Sequence, residues 1–518
     1  MTNQTTSAAA PATRTARSGA YDLLAGPVPA APPGPVTGLP SRVHLLGAGG
    51  AGLSGAARIL LERGHRLSGH DRADSRFVSM LRALGATIDL GASRAEMLPG
   101  DAQAVVRSAA VPEDDPQVQE ARRRGIPVLK YSQLLTRLSP ERRTLGVSGT
   151  HGKTTTSWML YWALRGIAEA AAQAAPGALV GGSCRTFGAN AVAPGAGAWF
   201  AVEACEYDRS FLCLEPEGAI VTNVEADHLD YYGSLAAIEE AFARFVDQVH
   251  PEGLLVVGRD VPKQVAEAGS CRVWRLGREI EIVDLAESHG YFRFRVRGPG
   301  WSTGFIELGV PGAFNVENAA LALALAVGLA GAPADRESWS EQSKSVDAAA
   351  AGIERYRGAE RRFEPWGTAG GVELFHDYAH HPTEVRVTIQ AARRTLPGKP
   401  LHVLFQPHQH SRTARFLDEF VESLREADRV VVAEVYGARV HIDSISMGAP
   451  EAGAEELVAR LRKAGIDAEF GGDAAASVKK LVAGLCGQSA ALILGAGDID
   501  LVQNDLLEEL AVRGPGGR

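Results

Sequence analysis

Gly146-Val-Ser-Gly-Thr-His-Gly-Lys-Thr-Thr-Thr156 joins an apolar run, a glycine turn and a lysine followed by hydroxyls, which predicts a strand, a phosphate-binding loop and a helix. Gly149, Thr150, His151 and Gly152 form the expected loop, and the amides from Gly149 to Lys153 are expected to face one concavity. Lys153 adds a point charge, and Thr154 and Thr155 open the helix, whose N-terminus favours anions. A nucleoside triphosphate is the expected occupant. The Gly-x-x-Gly-Lys-Thr spacing differs from the four-residue insert of the common P-loop.

Short Val, Ile and Leu runs ending in glycine and leading into helical stretches recur on both sides of this loop, the pattern of parallel α/β sheets. The predicted fold is α/β in three domains. A Rossmann-like N-terminal domain covers 41–141, a central P-loop-type ATPase domain with added antiparallel strands covers 142–352, and a Rossmann-like C-terminal domain covers 353–518. Residues 1–40, rich in Ala, Pro, Thr and Ser, read as a disordered tail without the apolar core of a secretory signal. Central strands are expected at 199–202, 219–222 and 254–257, followed by antiparallel strands at 272–276, 291–296 and 304–308 and a helix over 315–330. Residues 335–351 read as a surface helix, and C-terminal strands are expected at 372–375, 401–405, 429–433 and 491–494.

Composition excludes several classes. A net charge of −8 without a basic stripe argues against a nucleic-acid surface. The five cysteines are scattered without a Cys-x-x-Cys pair, which fits buried thiols in a reducing compartment. The longest apolar run, 319–334, is broken by Gly328, Gly331 and Pro333 and is shorter than the roughly 20 residues a membrane span needs. A cytoplasmic monomer or homodimer is expected, with neither nucleic acid nor membrane as partner.

Three further constellations carry chemistry. Gly47, Gly49, Gly50 and Gly52 follow an apolar run, with Asp71 some twenty residues on, which suits NAD or any nucleoside diphosphate sugar. The acids of Glu203-Ala-Cys-Glu-Tyr-Asp208 and Thr222-Asn-Val-Glu-Ala-Asp-His-Leu-Asp230 end neighbouring strands beside the phosphate loop, where Mg²⁺ is held in such sheets. His376, His380, His381, His408 and His410 are expected near one sheet edge with Arg412. They suit a small zwitterion and an amine proton better than zinc, since no helical i, i+4 histidine pair and no cysteine accompanies them. His376 and His410 read as surface-loop residues.

The motifs GAGGAGLSG (47–55), GTHGKTTT (149–156), EACEYD (203–208), TNVEADHLD (222–230), PGAFNVENA (311–319), ERRFE (360–364), DYAHHPTEV (377–385) and FQPHQHSRT (405–413) occur in an order that resembles the Mur ligases, most closely the branch that takes L-alanine. The resemblance implies ATP- and Mg²⁺-dependent amide formation on the lactyl carboxylate of UDP-N-acetylmuramate. It places Gly47, Gly49, Gly50, Gly52, Asp71 and Ser108 at the uridine nucleotide. Lys153 then contacts the ATP phosphates, Thr154 and Glu203 hold a first Mg²⁺, and His228 marks a second metal position. Asn315 and Asn318 fall on the adenine motif, and Arg362 and Asp377 on the groups that close over ATP. Tyr378, His380, His408 and Arg412 match positions near the amino acid, with His380 or His408 as acceptor of the amine proton. The chain departs from the family pattern at Phe314 and Gln409, and it has no lysine over 235–245 to carry a carbamate.

Overall fold

The computed structural model describes residues 36–139, 143–330, 339–437 and 453–513. The expected tail lies almost wholly outside them, as do 335–338 of the expected surface helix.

The first sheet is parallel: β1 (Arg42–Leu46), β2 (Arg66–Asp71), β3 (Thr87–Leu90), β4 (Ala104–Arg107) and β5 (Val128–Lys130), in the order β3-β2-β1-β4-β5. This is a doubly wound, Rossmann-like order. Helix α1 (Ala51–Glu62) follows the first glycine loop and lies directly on the next sheet. Gly55 permits that approach, because a Cβ there would stand 2.6 Å from Leu179 Cδ1. Buried Asn190 seals the contact by donating to Ala51 O at 2.6 Å, and one apolar core runs through both layers.

The second sheet contains β6 (Thr144–Ser148), β7 (Gly177–Cys184), β8 (Ala189–Val192), β9 (Phe200–Glu203), β10 (Gly218–Val221), β11 (Leu254–Val257) and β12 (Arg272–Arg275), ordered β12-β11-β10-β6-β9-β7-β8. β12 pairs parallel with β11, which corrects the antiparallel expectation for 272–276. An edge strand of a parallel sheet can also have a wet face, so alternation there does not reveal direction. The antiparallel pair in this sheet is β7–β8, hidden in the sequence by Gly181 and Gly182. A separate antiparallel sheet follows, formed by β13 (Glu281–Ser288), β14 (Tyr291–Gly298), β15 (Trp301–Ser302) and β16 (Ile306–Glu307); β14 and β16 fall on the expected 291–296 and 304–308, and β13 is an addition.

Helix α2 (Lys153–Ala170) buries Trp158, Met159, Leu160, Tyr161 and Trp162 in succession. A helix apolar on every side must be enclosed. The second sheet lies on one side, and α3 (Ala313–Leu329) and α4 (Trp339–Glu354) cover the other. α4 is therefore packed, not a surface helix, and buries Val346, Ala349 and Ile353. Glycines allow the two helices to touch: a Cβ on Gly166 would meet Ala348 O at 2.0 Å, and one on Gly352 would meet Trp162 O at 2.1 Å.

The third sheet runs β17-β18-β22-β19-β20-β21, from β17 (Glu364–Ala369), β18 (Val372–Asp377), β19 (Leu401–Phe405), β20 (Arg429–Ala433), β21 (Ala468–Gly472) and β22 (Ala490–Leu494). All pairs are parallel except the edge hairpin β17–β18, and separate cores cover the two faces. β17 and β21 escape sequence reading because a proline and glycines interrupt them, which edge strands tolerate. Among the described residues no helix is long and apolar enough to cross a membrane.

Gly166→Val should destabilise the protein by about 1–3 kcal/mol through overpacking. Gly100→Ala, where nothing lies within 4 Å of the added atom, should stay within about 0.5 kcal/mol. Denaturant unfolding of the two variants beside the parent measures both.

Candidate active site

β6 and β10 are neighbours and end at the same level, Ser148 opposite Val221. The loops that leave them consequently meet. Thr150 N–H donates to Asn223 O at 3.0 Å, His151 N–H donates to Asn223 Oδ1 at 2.8 Å, and Thr222 Oγ1 donates to His151 O at 2.6 Å. Two amides are thus committed within the protein, which corrects the expectation that the run from Gly149 to Lys153 faces one concavity. The candidate donors are fewer and centre on the first turn of α2, whose N–H groups have no intrahelical acceptor. The glycines make this seating possible. At Gly149 (φ +133°) a Cβ would meet Thr222 Oγ1 at 2.0 Å, and at Gly152 (φ +82°) it would meet Asn318 Oδ1 at 2.8 Å.

Lys153 folds back on the loop. Its Nζ donates to Gly149 O at 2.6 Å, Thr150 O at 2.9 Å and Glu206 Oε1 at 2.9 Å. Burial pulls its pKa down, but the charge and hydrogen bond of Glu206 together with the neighbouring Cys205 and Glu203 outweigh burial, and the side chain stays an ammonium. Thr154 Oγ1 donates to Glu203 Oε2 at 3.0 Å, and the same oxygen accepts Gly181 N–H at 2.8 Å. A hydroxyl and a carboxylate are hard oxygen donors and fit Mg²⁺. Glu206 faces elsewhere: its Oε1 lies 3.9 Å from His228 Nε2, which is 3.8 Å from Asp227 Oδ2. Glu203 and Glu206 of the 203–208 motif therefore serve different neighbours.

Asp227 reaches the third sheet. Arg412 Nη2 donates to Asp227 Oδ1 at 2.6 Å, and both side chains are over nine-tenths buried. Burial would raise the Asp227 pKa, but Arg412, His228 and His380 more than offset it and hold the carboxyl well below its usual range. Arg412 Nη1 also lies 3.3 Å from His408 Nδ1. The His408 and His380 rings are 5.7 Å apart, and those of His380 and Tyr378 are 5.2 Å apart, so Tyr378, His380, His408 and Arg412 form one patch. His380 Nδ1 lies 2.9 Å from Tyr378 O, which as donor leaves Nε2 with its lone pair. Burial lowers this ring to about 4, so it is neutral at physiological pH. His410 is exposed as expected. His376 is not a loop residue: it lies wholly buried in β18, 3.0 Å from Ile493 O and against Trp366, because the strand extends past 375.

Between the second and third sheets lies a cavity of about 690 Å³, lined by His151, Gly152, Phe314, Asn315, Asn318, Arg362, Phe363, Phe375, Asp377 and Glu384 among others. Asn318 Nδ2 donates to Asn315 Oδ1 at 3.1 Å, and Asn315 Nδ2 to Pro311 O at 2.7 Å. Asp377 accepts the N–H groups of Phe363 (2.7 Å) and Ala379 (2.8 Å), while burial raises it to about 6 against the lowering charge of Arg362. Arg361 and Phe363 adopt left-handed backbone, a strained state common at binding sites.

In the first sheet the structure brings Gly47, Gly49, Asp71 and Ser108 together. Asp71 Oδ2 accepts Gly49 N–H at 2.8 Å, and a Cβ on Gly47 (φ +77°) would meet Ser108 Oγ at 2.5 Å. Gly50 caps α1, and Gly52 lies against Tyr131, whose ring would stand 2.9 Å from a Cβ there. Of the cysteines, only Cys184 and Cys271 are buried. Cys213 is half-buried, and Cys205 and Cys486 are exposed in loops, so burial was overestimated.

Sequence reading missed Glu225 and Glu384, which flank His151 at 3.5 and 3.2 Å. Glu384 carried a signal: it is the N3 acid of a capping box begun by His381 at helix α5 (Pro382–Thr395). Arg412→Ala leaves Asp227 charged, buried and unpaired, and should cost about 3–5 kcal/mol. Urea unfolding followed through Trp366 in the third sheet tests this.

Family models match in the same order as the three large sheets: "Mur ligase family, catalytic domain" over 42–143, "Mur ligase middle domain" over 147–326 and "Mur ligase, glutamate ligase domain" over 361–497. A UDP-N-acetylmuramate--L-alanine ligase of Saccharopolyspora erythraea is 40% identical over 490 residues, covering 92% of this chain and 94% of that one. Among solved structures, a UDP-N-acetylmuramate-alanine ligase of Thermotoga maritima superposes with a TM-score of 0.72 at 24% identity, covering 90% of this chain and 98% of that one. A murein peptide ligase of Psychrobacter arcticus gives 0.66 at 21%, covering 91% and 99%. Together with the phosphate loop and its paired acids, that identity along nearly the whole chain establishes that this protein belongs to the Mur ligase family.

Proposed function

We infer that the chain is an ATP-dependent ligase that joins L-alanine to the lactyl carboxylate of UDP-N-acetylmuramate, a step of peptidoglycan precursor synthesis in the cytoplasm. The observation that carries this reading is the Asp227–Arg412 pair, which joins the phosphate-loop side of the second sheet to the Tyr378–His380–His408 patch of the third. An activating site and an amine site thereby lie side by side. The 47–52 loop with Asp71 and Ser108 receives the uridine diphosphate. The base of ATP enters the cavity at Asn315 and Asn318, between the walls of Phe314, Phe363 and Phe375, with Asp377 toward the ribose.

In the first step a lactyl carboxylate oxygen attacks the γ-phosphorus, the bond to the β-phosphate oxygen breaks, and ADP and an acyl phosphate result. Such transfer depends mainly on position and charge. Lys153 exchanges Glu206 for phosphate oxygens, and Arg362 approaches from the third sheet. Thr154 and Glu203 hold one Mg²⁺, and His228 beside Glu206 marks a second position. Bound metal supplies Lewis-acid neutralisation of the phosphate oxygens. In the second step the alanine nitrogen attacks the acyl carbon and inorganic phosphate leaves. Arg412 and Tyr378 orient the amino acid, with His408 beside them. Nε2 of His380 faces the amine as a weak base, so it takes the proton as the forming C–N bond makes the nitrogen acidic.

Phosphate release in the presence of UDP-N-acetylmuramate, ATP and a panel of amino acids tests the reading. Release should require L-alanine, and Lys153→Ala should reduce it on the order of 10²–10³-fold. Release that needs a preformed peptide instead would reassign the protein to peptide ligation.

A further inference from the structure

Polar and charged side chains cross between the second and third sheets, and His151 is among them. Its ring nitrogens face carboxylates from two sides. Nε2 lies 3.5 Å from Glu225 Oε2, in the loop after β10, and Nδ1 lies 3.2 Å from Glu384 Oε1, in the first turn of α5. Glu225 Oε2 also accepts Thr383 Oγ1 at 2.9 Å, and the His381 ring packs 4.8 Å from that of His151. Glu384 is flanked in turn by Arg362 at 3.8 Å and His380 at 3.4 Å. A neutral imidazole can donate to one of these carboxylates; only the imidazolium can donate to both. Burial works against the charged ring, but Glu225 and Glu384 outweigh it and raise the pKa to about 9. Glu225 is correspondingly lowered to about 2, first through its interaction with His151 3.5 Å away.

One atom each of His151, Glu225 and His381 lie within 4.8 Å of one another, a set that can also hold a cation. The hydrogen bonds favour a proton. Both nitrogens of His151 already oppose carboxylates, and His381 Nδ1 accepts Thr383 N–H at 3.3 Å, which puts the ring proton on its Nε2.

The backbone of His151 is fixed by Asn223 and Thr222 between the two loop glycines, so a clasp on its ring bears on the shape of the phosphate loop. We propose that His151 is a positioning residue for phosphoryl transfer: as a cation clasped by Glu225 and Glu384, it ties the phosphate loop to α5, so the loop holds its nucleotide-binding shape only while the third sheet is docked. The proposal rests on the ATP-dependent reading above. The folded-state pKa is raised, so the contribution of the clasp is complete below about 6.5 and is lost as pH rises through about 9.

Two measurements on the full chain test it without any acyl acceptor. Histidine ring signals are followed by NMR from pH 5 to 10, with His151→Gln identifying the resonance, and binding of a fluorescent non-hydrolysable ATP analogue is measured over the same range. The His151 ring should titrate near 9 and fall by about one unit or more in Glu225→Gln and in Glu384→Gln. Analogue affinity should weaken about tenfold across the same titration, 1.4 kcal/mol, and in each variant that loss should move to lower pH together with the ring. Glu384→Asp, which keeps the charge, should restore most of the shift, separating the clasp from general damage. Titration of His151 near 6.5 in the parent, or an affinity profile unmoved in Glu384→Gln, overturns the proposal. So does stoichiometric Zn²⁺ binding that removes the His151 and His381 ring titrations together. Absence of alanine-dependent phosphate release would refute the ligase reading while leaving the ring titration and analogue binding to be judged separately.

Discussion

Two loops leaving adjacent parallel strands are locked to each other, and the rest of the site is built out from that lock. Because β6 and β10 pair in register, residues 149–152 and 222–228 emerge side by side, and Asn223 satisfies both Thr150 and His151 amides. The second loop then distributes its side chains by position. Thr222 and Asn223 face the phosphate loop, Glu225 and Asp227 face the third sheet, and His228 faces Glu206. A Cβ at Gly149 would destroy this arrangement, since it would fall on Thr222.

The two contacts made by the second sheet differ in physical kind. Toward the first sheet it is apolar: α1 lies on β7 and β8 in a shared core, with Gly55 allowing the approach and Asn190 satisfying the helix start. Such a contact loses much when opened, because buried carbon returns to water. Toward the third sheet, charged and polar pairs cross beside a cavity that Phe314, Phe363 and Phe375 also line. Opened charges regain hydration, so separating these layers costs less per unit area.

Burial sets the chemistry of the groups in that contact. Asp227 and Glu384 stay ionised because neighbouring positive groups outweigh their desolvation, whereas burial shifts Asp377 upward despite Arg362 and the two backbone amides it accepts. His380 is held neutral and His151 cationic, although both belong to short polar motifs that look alike on paper. Carboxylates act on both rings; the difference is that the Arg412 charge also opposes protonation of His380, whereas His151 has Glu225 and Glu384 beside it and no opposing arginine among its main influences.

By itself the amino-acid sequence determined the layered α/β fold, the order of the sheets, the strand–glycine turn–helix at 144–170, the glycine loop of the first sheet and the motifs that the family shares. Those features follow from local pattern: apolar runs of strand length, glycines at left-handed positions, and lysine and hydroxyls at a helix start. Tertiary structure decided the direction of β12, the enclosure of α4, the burial of His376, and the separate duties of Glu203 and Glu206. It also decided the pairing of Asp227 with Arg412 and the clasp around His151. None of these is local, since each depends on which residues distant in the chain are brought within a few ångströms when apolar surface is buried, and on how far that burial removes water from the charges left between the layers.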